Sequence, residues 1–106
     1  MPESRRFPRI DVYLDAHLIV DGEAFRAKIK DLSRGGACVI SPHFFPSATD
    51  VTVSLEALSR KLGLLGKTVY SFECEPGIFR TGIRFHPLTE ANRAVVEALM
   101  LQAKSI

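Results

Sequence analysis

Apolar and polar residues alternate along the first part of this chain, and period-two alternation is typical of β-strands with one buried face. The first run spans Ile10–Val20, where every second residue is apolar and the residues between are mostly Asp, Tyr or His. The pair Asp21-Gly22 follows, which is a common sequence for a two-residue hairpin turn. The alternation resumes over residues 25–30, where basic side chains occupy the polar face. We therefore predict that the first two strands pair as an antiparallel hairpin.

Short apolar or alternating segments predict four further strands, at Ala37–Ile40, Val51–Leu55, Thr68–Glu75 and Ile78–His86. Pro42 and Pro46 indicate that the residues between the third and fourth strands form a loop. Phe44 and Phe45 in this loop either fold back onto the rest of the protein or form an exposed patch for a partner. The segment Glu56–Gly63 is compatible with a helical turn or with a loop.

The apolar spacing changes after Pro87 from every second residue to every third or fourth, which is the pattern of an amphipathic helix. The apolar stripe consists of Val95, Val96, Leu99, Met100 and Ala103. Thr89 is the expected N-cap, and Glu90 suits the positive end of the helix dipole. We predict a helix over about residues 88–104, which either covers a barrel opening or packs on a partner.

About six strands followed by one helix predict an all-β fold with one C-terminal helix. Because closing a sheet removes its exposed edges, the expected architecture is a small six-stranded antiparallel β-barrel. The length of 106 residues suits one domain, and the hydrophobic content of 46% is that of a folded protein. We predict that residues 1–9 form a flexible basic arm and that residues 10–106 form the barrel and its helix.

Charge and cysteine content argue against several classes of protein. The net charge of +2 is far below that of a protein that coats duplex DNA, so an anion site must be local. No apolar run approaches the ~20 residues that a membrane-spanning helix needs, and no apolar segment follows the first arginines as in a secretory signal. Cys38 and Cys74 lack metal-ligand spacing and are expected to be buried or half-buried thiols. We expect a cytoplasmic protein without membrane insertion or a metal site.

The segment Glu3–Asp11 holds three arginines in five positions, at the start of the chain. An arginine side chain is always charged, and its planar guanidinium suits phosphate oxygens and the O6/N7 edge of guanine. Arg5 and Arg9 point to the same side of an extended arm, with up to ~13 Å between their backbones. The arm therefore either grips a bulky anion or is a solvated basic tail.

The segment Asp31–Gly36, with the sequence DLSRGG, interrupts the strand pattern. Asp31 and Ser33 can form local hydrogen bonds, and Gly35-Gly36 permits positive φ and the close approach of a ligand. The same composition is typical of an Asx-type turn between two strands, so the segment by itself leaves both interpretations open.

Together, the arm and the turn resemble the two motifs of the PilZ domain family. Arg5–Arg9 matches its RxxxR motif, Asp31–Gly36 matches its DxSxxG motif, and Thr81–Phe85 resembles its late strand. The resemblance extends from Arg5 to the C-terminal helix. It implies a six-stranded antiparallel β-barrel with a C-terminal helix, in agreement with the strand count from periodicity. It also implies binding of the bacterial second messenger cyclic di-GMP.

The resemblance implies roles for the arginines. Arg5 and Arg9 would hold guanine edges and phosphates of the ligand. Arg6 lies between them and would add a phosphate contact or stacking. Arg34 occupies a variable position of its motif and either reaches the ligand or faces water.

The resemblance also implies that the turn contacts the ligand. Asp31 and Ser33 would hydrogen-bond a guanine, and Gly36 would keep the backbone out of the ligand's way. The candidate ligand-binding residues are therefore Arg5, Arg6, Arg9, Asp31, Ser33, Arg34, Gly35 and Gly36.

The leading hypothesis is a cyclic di-GMP receptor that changes conformation on binding and signals to a separate effector protein, in motility or exopolysaccharide regulation. The alternative is a PilZ-fold protein-interaction module with weak or no nucleotide binding. A DNA- or RNA-binding barrel is disfavoured, because the chain has no Trp and only two Tyr for base stacking. Ser33 has no evident His and acidic partners, so we expect neither an enzyme nor a cofactor. A monomer and a homodimer are both compatible with the sequence.

Overall fold

A computed structural model describes residues 10–104 of the chain, with side chains described up to Gln102. The elements in this range are β1 Ile10–Val20, β2 Glu23–Leu32, β3 Gly36–Ser41, β4 Asp50–Ala57, β5 Arg60–Glu75, β6 Ile78–Phe85 and α1 Glu90–Lys104. Each predicted strand is present, and α1 lies where the three-and-four spacing predicts a helix.

The strands form a closed antiparallel barrel in the order β1-β2-β3-β6-β5-β4, and pairing of β4 with β1 completes it. The predicted six-stranded antiparallel β-barrel with a C-terminal helix is therefore confirmed. The order departs from the sequence where β3 pairs with β6. This pairing brings the segment Asp31–Gly36, which joins β2 to β3, next to the last strand of the barrel.

Two hairpin turns of the barrel have positive φ at both central residues but very different sequences. Asp21 and Gly22 have φ of 51° and 80°, as expected for the type I′ turn that Asp-Gly favours. Leu58 and Ser59 have φ of 53° and 60°, although neither residue type favours positive φ. The second turn therefore lacks the local signal that identifies the first one.

The turn at residues 58 and 59 overturns both interpretations of Glu56–Gly63, which is neither a helical turn nor a loop. The segment completes β4, reverses the chain and begins β5, with Ala57 paired to Arg60. As a result, β5 begins at Arg60 rather than at Thr68. The pairing of β4 with β5 along this hairpin holds two unfavourable turn residues in place.

The barrel interior is filled by the inward face of every strand. Each strand contributes a side chain that is at most 1% exposed, and these are Leu18, Ile29, Val39, Val53, Leu64 and Ile83. Burial of one such side chain stabilises the fold by about 1.5–3 kcal/mol. The period-two pattern of the sequence therefore corresponds directly to the main stabilising contacts of the barrel.

The helix α1 packs on the barrel of its own chain. Val95, Val96 and Leu99 are buried in the same cluster as the inward side chains of the strands. The Thr89 Oγ1 accepts a hydrogen bond from the Asn92 N–H at 3.1 Å, so the predicted N-cap is present. The barrel thus covers Val95, Val96 and Leu99 of the apolar stripe, and Met100 is partly buried against it.

The two phenylalanines of the β3–β4 loop have opposite environments. Phe45 is 4% exposed and belongs to the core, whereas Phe44 is 56% exposed. The ring of Phe44 lies edge-on to the ring of Phe79, with a centroid distance of 6.1 Å. Phe45 therefore folds back onto the barrel, and Phe44 adds exposed apolar surface.

Cys38 in β3 is buried, but Cys74 in β5 is exposed, so the expectation of two buried or half-buried thiols is wrong for Cys74. The reason is that Cys74 lies near the β5–β6 turn, where the strands have little core beneath them. Within residues 10–104, no helix combines the length and the apolar character needed to cross a membrane.

Candidate functional site

The connection between β2 and β3 is a tight turn held by one serine. The Ser33 N–H donates to the Gly36 carbonyl oxygen at 2.8 Å. The Ser33 Oγ accepts hydrogen bonds from the N–H groups of Gly35 and Gly36, both at 3.1 Å. A hydroxyl oxygen has two acceptor positions, and Ser33 is only 3% exposed. The Ser33 side chain therefore orders the turn, and its contact with a ligand stays a prediction.

The two glycines of this turn attach it to β6. A β-carbon at Gly36 would overlap the carbonyl oxygen of Ile83, so β6 can approach only because residue 36 is glycine. The Gly35 carbonyl oxygen accepts a hydrogen bond from the Phe85 N–H at 2.9 Å. Gly36 thus has a packing role that the sequence does not reveal, Gly35 contributes a backbone hydrogen bond, and the role of both toward a ligand stays a prediction.

Asp31 is half-buried near the end of β2, where β1 begins. The strand register places Asp11 opposite Asp31 and Ile10 opposite Leu32. Because Arg9 directly precedes Ile10 in the chain, the arm joins the barrel beside this turn.

The predicted arm residues Arg5, Arg6 and Arg9 lie outside the described residues, so their contacts stay a prediction. What the structure does define is the point of attachment. The first described residue, Ile10, is already paired with β2 at the edge of the DLSRGG turn. The fold therefore brings Ile10, the residue that follows the first motif, next to the second motif, although twenty residues separate Ile10 from Asp31.

Arg34 links the turn to the C-terminal helix. Its Nη1 donates to the Glu97 Oε2 at 3.1 Å, and the two side chains are 39% and 46% exposed. An ion pair at this level of exposure contributes at most about 1 kcal/mol to stability. The sequence predicted that Arg34 either reaches a ligand or faces water. It did not predict a protein partner, because Glu97 is brought close only by the packing of α1.

Two residues that the sequence did not identify lie on the outer surface beside the turn. Arg84 in β6 is paired with Gly36 of β3 on one side and with Lys67 of β5 on the other. The ring of Tyr70 lies over Gly82, where a β-carbon would overlap it, and its hydroxyl reaches the Cys38 Sγ at 3.8 Å. Strand periodicity could assign these side chains to the outer face, but it could not show which strands flank them.

A cavity of about 340 Å³ lies on the β5 side of Arg84. Its polar lining includes Ser47, Lys67, Arg84 and His86, and it contains no residue of the DLSRGG turn. Among the side chains of the described residues, no group of three His, Cys, Asp or Glu is arranged to hold a metal ion. The chemistry that this surface offers is therefore that of cations and backbone groups.

The family model of the PilZ domain matches residues 3–102 of the chain. No curated protein sequence matches it. Among solved structures, the PilZ domain of YcgR from Escherichia coli with c-di-GMP has a TM-score of 0.76 at 13% identity, and the match covers 97% of this chain and 93% of that domain.

Two longer proteins share the fold with this chain. The inhibitor of motility MotI from Bacillus subtilis has a TM-score of 0.81 at 14% identity, and the match covers 98% of this chain and 53% of MotI. PlzA from Borreliella burgdorferi, in complex with c-di-GMP, has a TM-score of 0.71 at 24% identity, with 92% and 41% covered. The chain thus spans about half the length of these two proteins. The match of the family model to nearly the whole chain shows that this protein belongs to the PilZ domain family.

Proposed function

We propose that this protein is a receptor for cyclic di-GMP that has no catalytic activity. The observation that carries the proposal is the junction of β1 with the DLSRGG turn, where Ile10 is paired with Leu32. It joins the RxxxR arm to the barrel beside the DxSxxG motif, as a shared ligand site requires. The PilZ domain of YcgR and the protein PlzA, which share this fold, were solved with c-di-GMP.

The arginines of the arm suit a cyclic dinucleotide. The ligand carries two phosphates and two guanines, and arginines bind both groups through paired N–H donors. In the proposed complex, Arg5 and Arg9 hold phosphates and guanine edges, and Asp31 accepts hydrogen bonds from a guanine. Ser33 and Gly36 contribute mainly by fixing the turn on which the ligand rests.

Ligand binding would order the arm against a turn that is already rigid. Ordering costs about 1–2 kcal/mol per residue for the backbone, so the charge-assisted hydrogen bonds must exceed that amount. A rigid turn lowers this cost because only one of the two partners has to be ordered. The ordered arm would then present a new surface to a separate effector protein, for which control of motility or exopolysaccharide synthesis is the proposed context.

The experiment is calorimetry of the whole chain with cyclic di-GMP, compared with cyclic di-AMP and GTP in separate titrations. We expect saturable binding of cyclic di-GMP, weaker or absent binding of the other two nucleotides, and loss of binding in Arg9→Ala. Arg26→Ala is the matched control, because Arg26 is an exposed arginine of β2. Absence of heat for cyclic di-GMP with the unmodified chain would refute the receptor function.

A second candidate is a protein-interaction module of the same fold with weak or no nucleotide binding. The observation that favours it is that Ser33 and Gly36 are each explained by the packing of the barrel alone. The same calorimetry separates the two candidates. Under the second one, the heat from cyclic di-GMP would be weak or absent, and Arg9→Ala would not change it.

A further inference from the structure

Strand β6 carries a second pair of arginines with the spacing of the arm motif. Its sequence Arg80-Thr81-Gly82-Ile83-Arg84 repeats the RxxxR pattern inside the barrel wall. Thr81 and Ile83 are buried on the inner side, so Arg80, Gly82 and Arg84 belong to the outer face. Residues four apart on a strand are separated by about 13 Å. Arg80 and Arg84 are thus two guanidinium groups on one surface, with a glycine between them.

This surface adjoins the DLSRGG turn. The register between β3 and β6 pairs Arg84 with Gly36, Gly82 with Cys38, and Arg80 with Ile40. The ring of Tyr70 covers Gly82, so the surface between the two arginines is that of a tyrosine ring. A ligand that rests on Gly36 would therefore lie within reach of the outer face of β6.

Both arginines have hydrogen-bonding capacity that the described part of the protein leaves unused. Arg84 is exposed and forms no ion pair with any described residue. It lies opposite Lys67, which forms its own ion pair with Asp50 at 3.0 Å. The Arg80 Nε is buried and has no hydrogen-bond partner among the described residues. An anion beside this surface would supply acceptors for the guanidinium groups of these two arginines.

We infer that Arg80 and Arg84 are a second arginine pair of the ligand site, and that they contact bound cyclic di-GMP from the barrel wall. This inference rests on the proposed receptor function. Arg80 and Arg84 would add contacts from the barrel wall to those that the proposed function assigns to other residues. Arg84 is the more important member because it is paired with Gly36 of the DxSxxG motif.

The test is calorimetry of the whole chain with cyclic di-GMP, comparing Arg84→Ala, Arg80→Ala and the control Arg26→Ala. We expect roughly tenfold or greater loss of affinity for Arg84→Ala, as for the loss of a charged hydrogen bond. Arg80→Ala should weaken binding less. Arg84→Lys should restore part of the loss, since lysine keeps the charge but not the planar pair of donors.

The outcomes separate this inference from the receptor function. If Arg9→Ala abolishes binding while Arg84→Ala and Arg80→Ala bind like Arg26→Ala, the receptor function stands and the role of β6 is refuted. If the unmodified chain does not bind, both are refuted. Thermal melting of each variant excludes unfolding as the cause of a loss.

A spectroscopic measurement on the unmodified chain keeps the inference testable if a variant fails to fold. The arginine Nε–H signals of a ¹⁵N-labelled protein are followed during titration with cyclic di-GMP. We expect the signals of Arg80 and Arg84 to shift and to saturate at the same ratio of ligand to protein as the calorimetric heat. The signal of Arg26 should not shift. Unchanged signals from both β6 arginines at saturation would overturn the inference.

Discussion

The turn between β2 and β3 and the turn between β4 and β5 both reverse the chain of one small barrel, but different forces hold them. The first turn is held by the Ser33 hydroxyl, by the contacts of its glycines with β6, and by the ion pair from Arg34 to α1. The second turn is held by the ladder around it, and Leu58 and Ser59 tolerate positive φ. The first turn therefore has anchors outside the two strands that it connects, whereas the second turn is held by the pairing of its own strands.

The largest difference between these regions is expected from Gly36→Ala. The added β-carbon overlaps the Ile83 carbonyl oxygen, which belongs to the backbone and cannot rotate away. We expect a loss of about 3 kcal/mol or more in the free energy of unfolding, measured by urea denaturation. Gly63→Ala in β5 is the control, because the nearest atom, the Thr52 Cγ2, lies 3.4 Å from the new carbon. That variant should change stability by less than about 1 kcal/mol. Equal losses in both variants would contradict the packing role of Gly36.

A smaller effect is expected from removal of the hydroxyl at the first turn. Ser33→Ala leaves the N–H groups of Gly35 and Gly36 without their acceptor, which costs about 1–3 kcal/mol. Ser59→Ala applies the same change to an exposed residue of the second turn, and there we expect a change within about 0.5 kcal/mol. Thermal and urea unfolding measure both variants. If Ser33→Ala is as stable as Ser59→Ala, the hydroxyl does not hold the turn.

The smallest effect is expected at the link between the turn and α1. A double-mutant cycle on Arg34→Ala and Glu97→Ala should give a coupling free energy of about 0.2–1 kcal/mol that decreases with added salt. The exposed pair of Lys28 and Asp15, at 3.4 Å, is the control and should couple less because both side chains are more exposed. A coupling free energy of zero between Arg34 and Glu97 in low salt would show that this ion pair does not link the turn to α1.

The sequence identified the elements whose pattern is local. The alternation over Ile10–Val20 and the Asp21-Gly22 turn predicted the first hairpin, and Thr89 predicted the start of α1. The first half of β5 was not predicted, because neither Leu58 nor Ser59 is a residue type that favours positive φ. Their conformation is imposed by pairing between β4 and β5, and the residues next to the turn in the sequence do not reveal that pairing.

The features of the candidate site likewise divide into those that the sequence predicts and those that only the structure shows. Order and spacing were enough to identify the DLSRGG turn as a motif and to predict that Asp31 and Ser33 matter. The structure adds reasons that depend on distant residues: Gly36 is glycine because of Ile83, and Arg34 has a partner because of Glu97. Arg84 was not identified because it resembles any outward-facing strand residue until its pairing with Gly36 is known.

By itself, the sequence determined that this chain forms strands with one apolar face, ends in an amphipathic helix, and carries the motifs of the PilZ domain family. Those properties depend on residues close together in the chain, so periodicity and spacing record them directly. Tertiary structure alone decided that β3 lies against β6, and therefore which side chains surround the turn and what its serine and glycines contact. Residues 36 and 84 become neighbours only when the barrel closes, because their pairing is a property of the whole sheet.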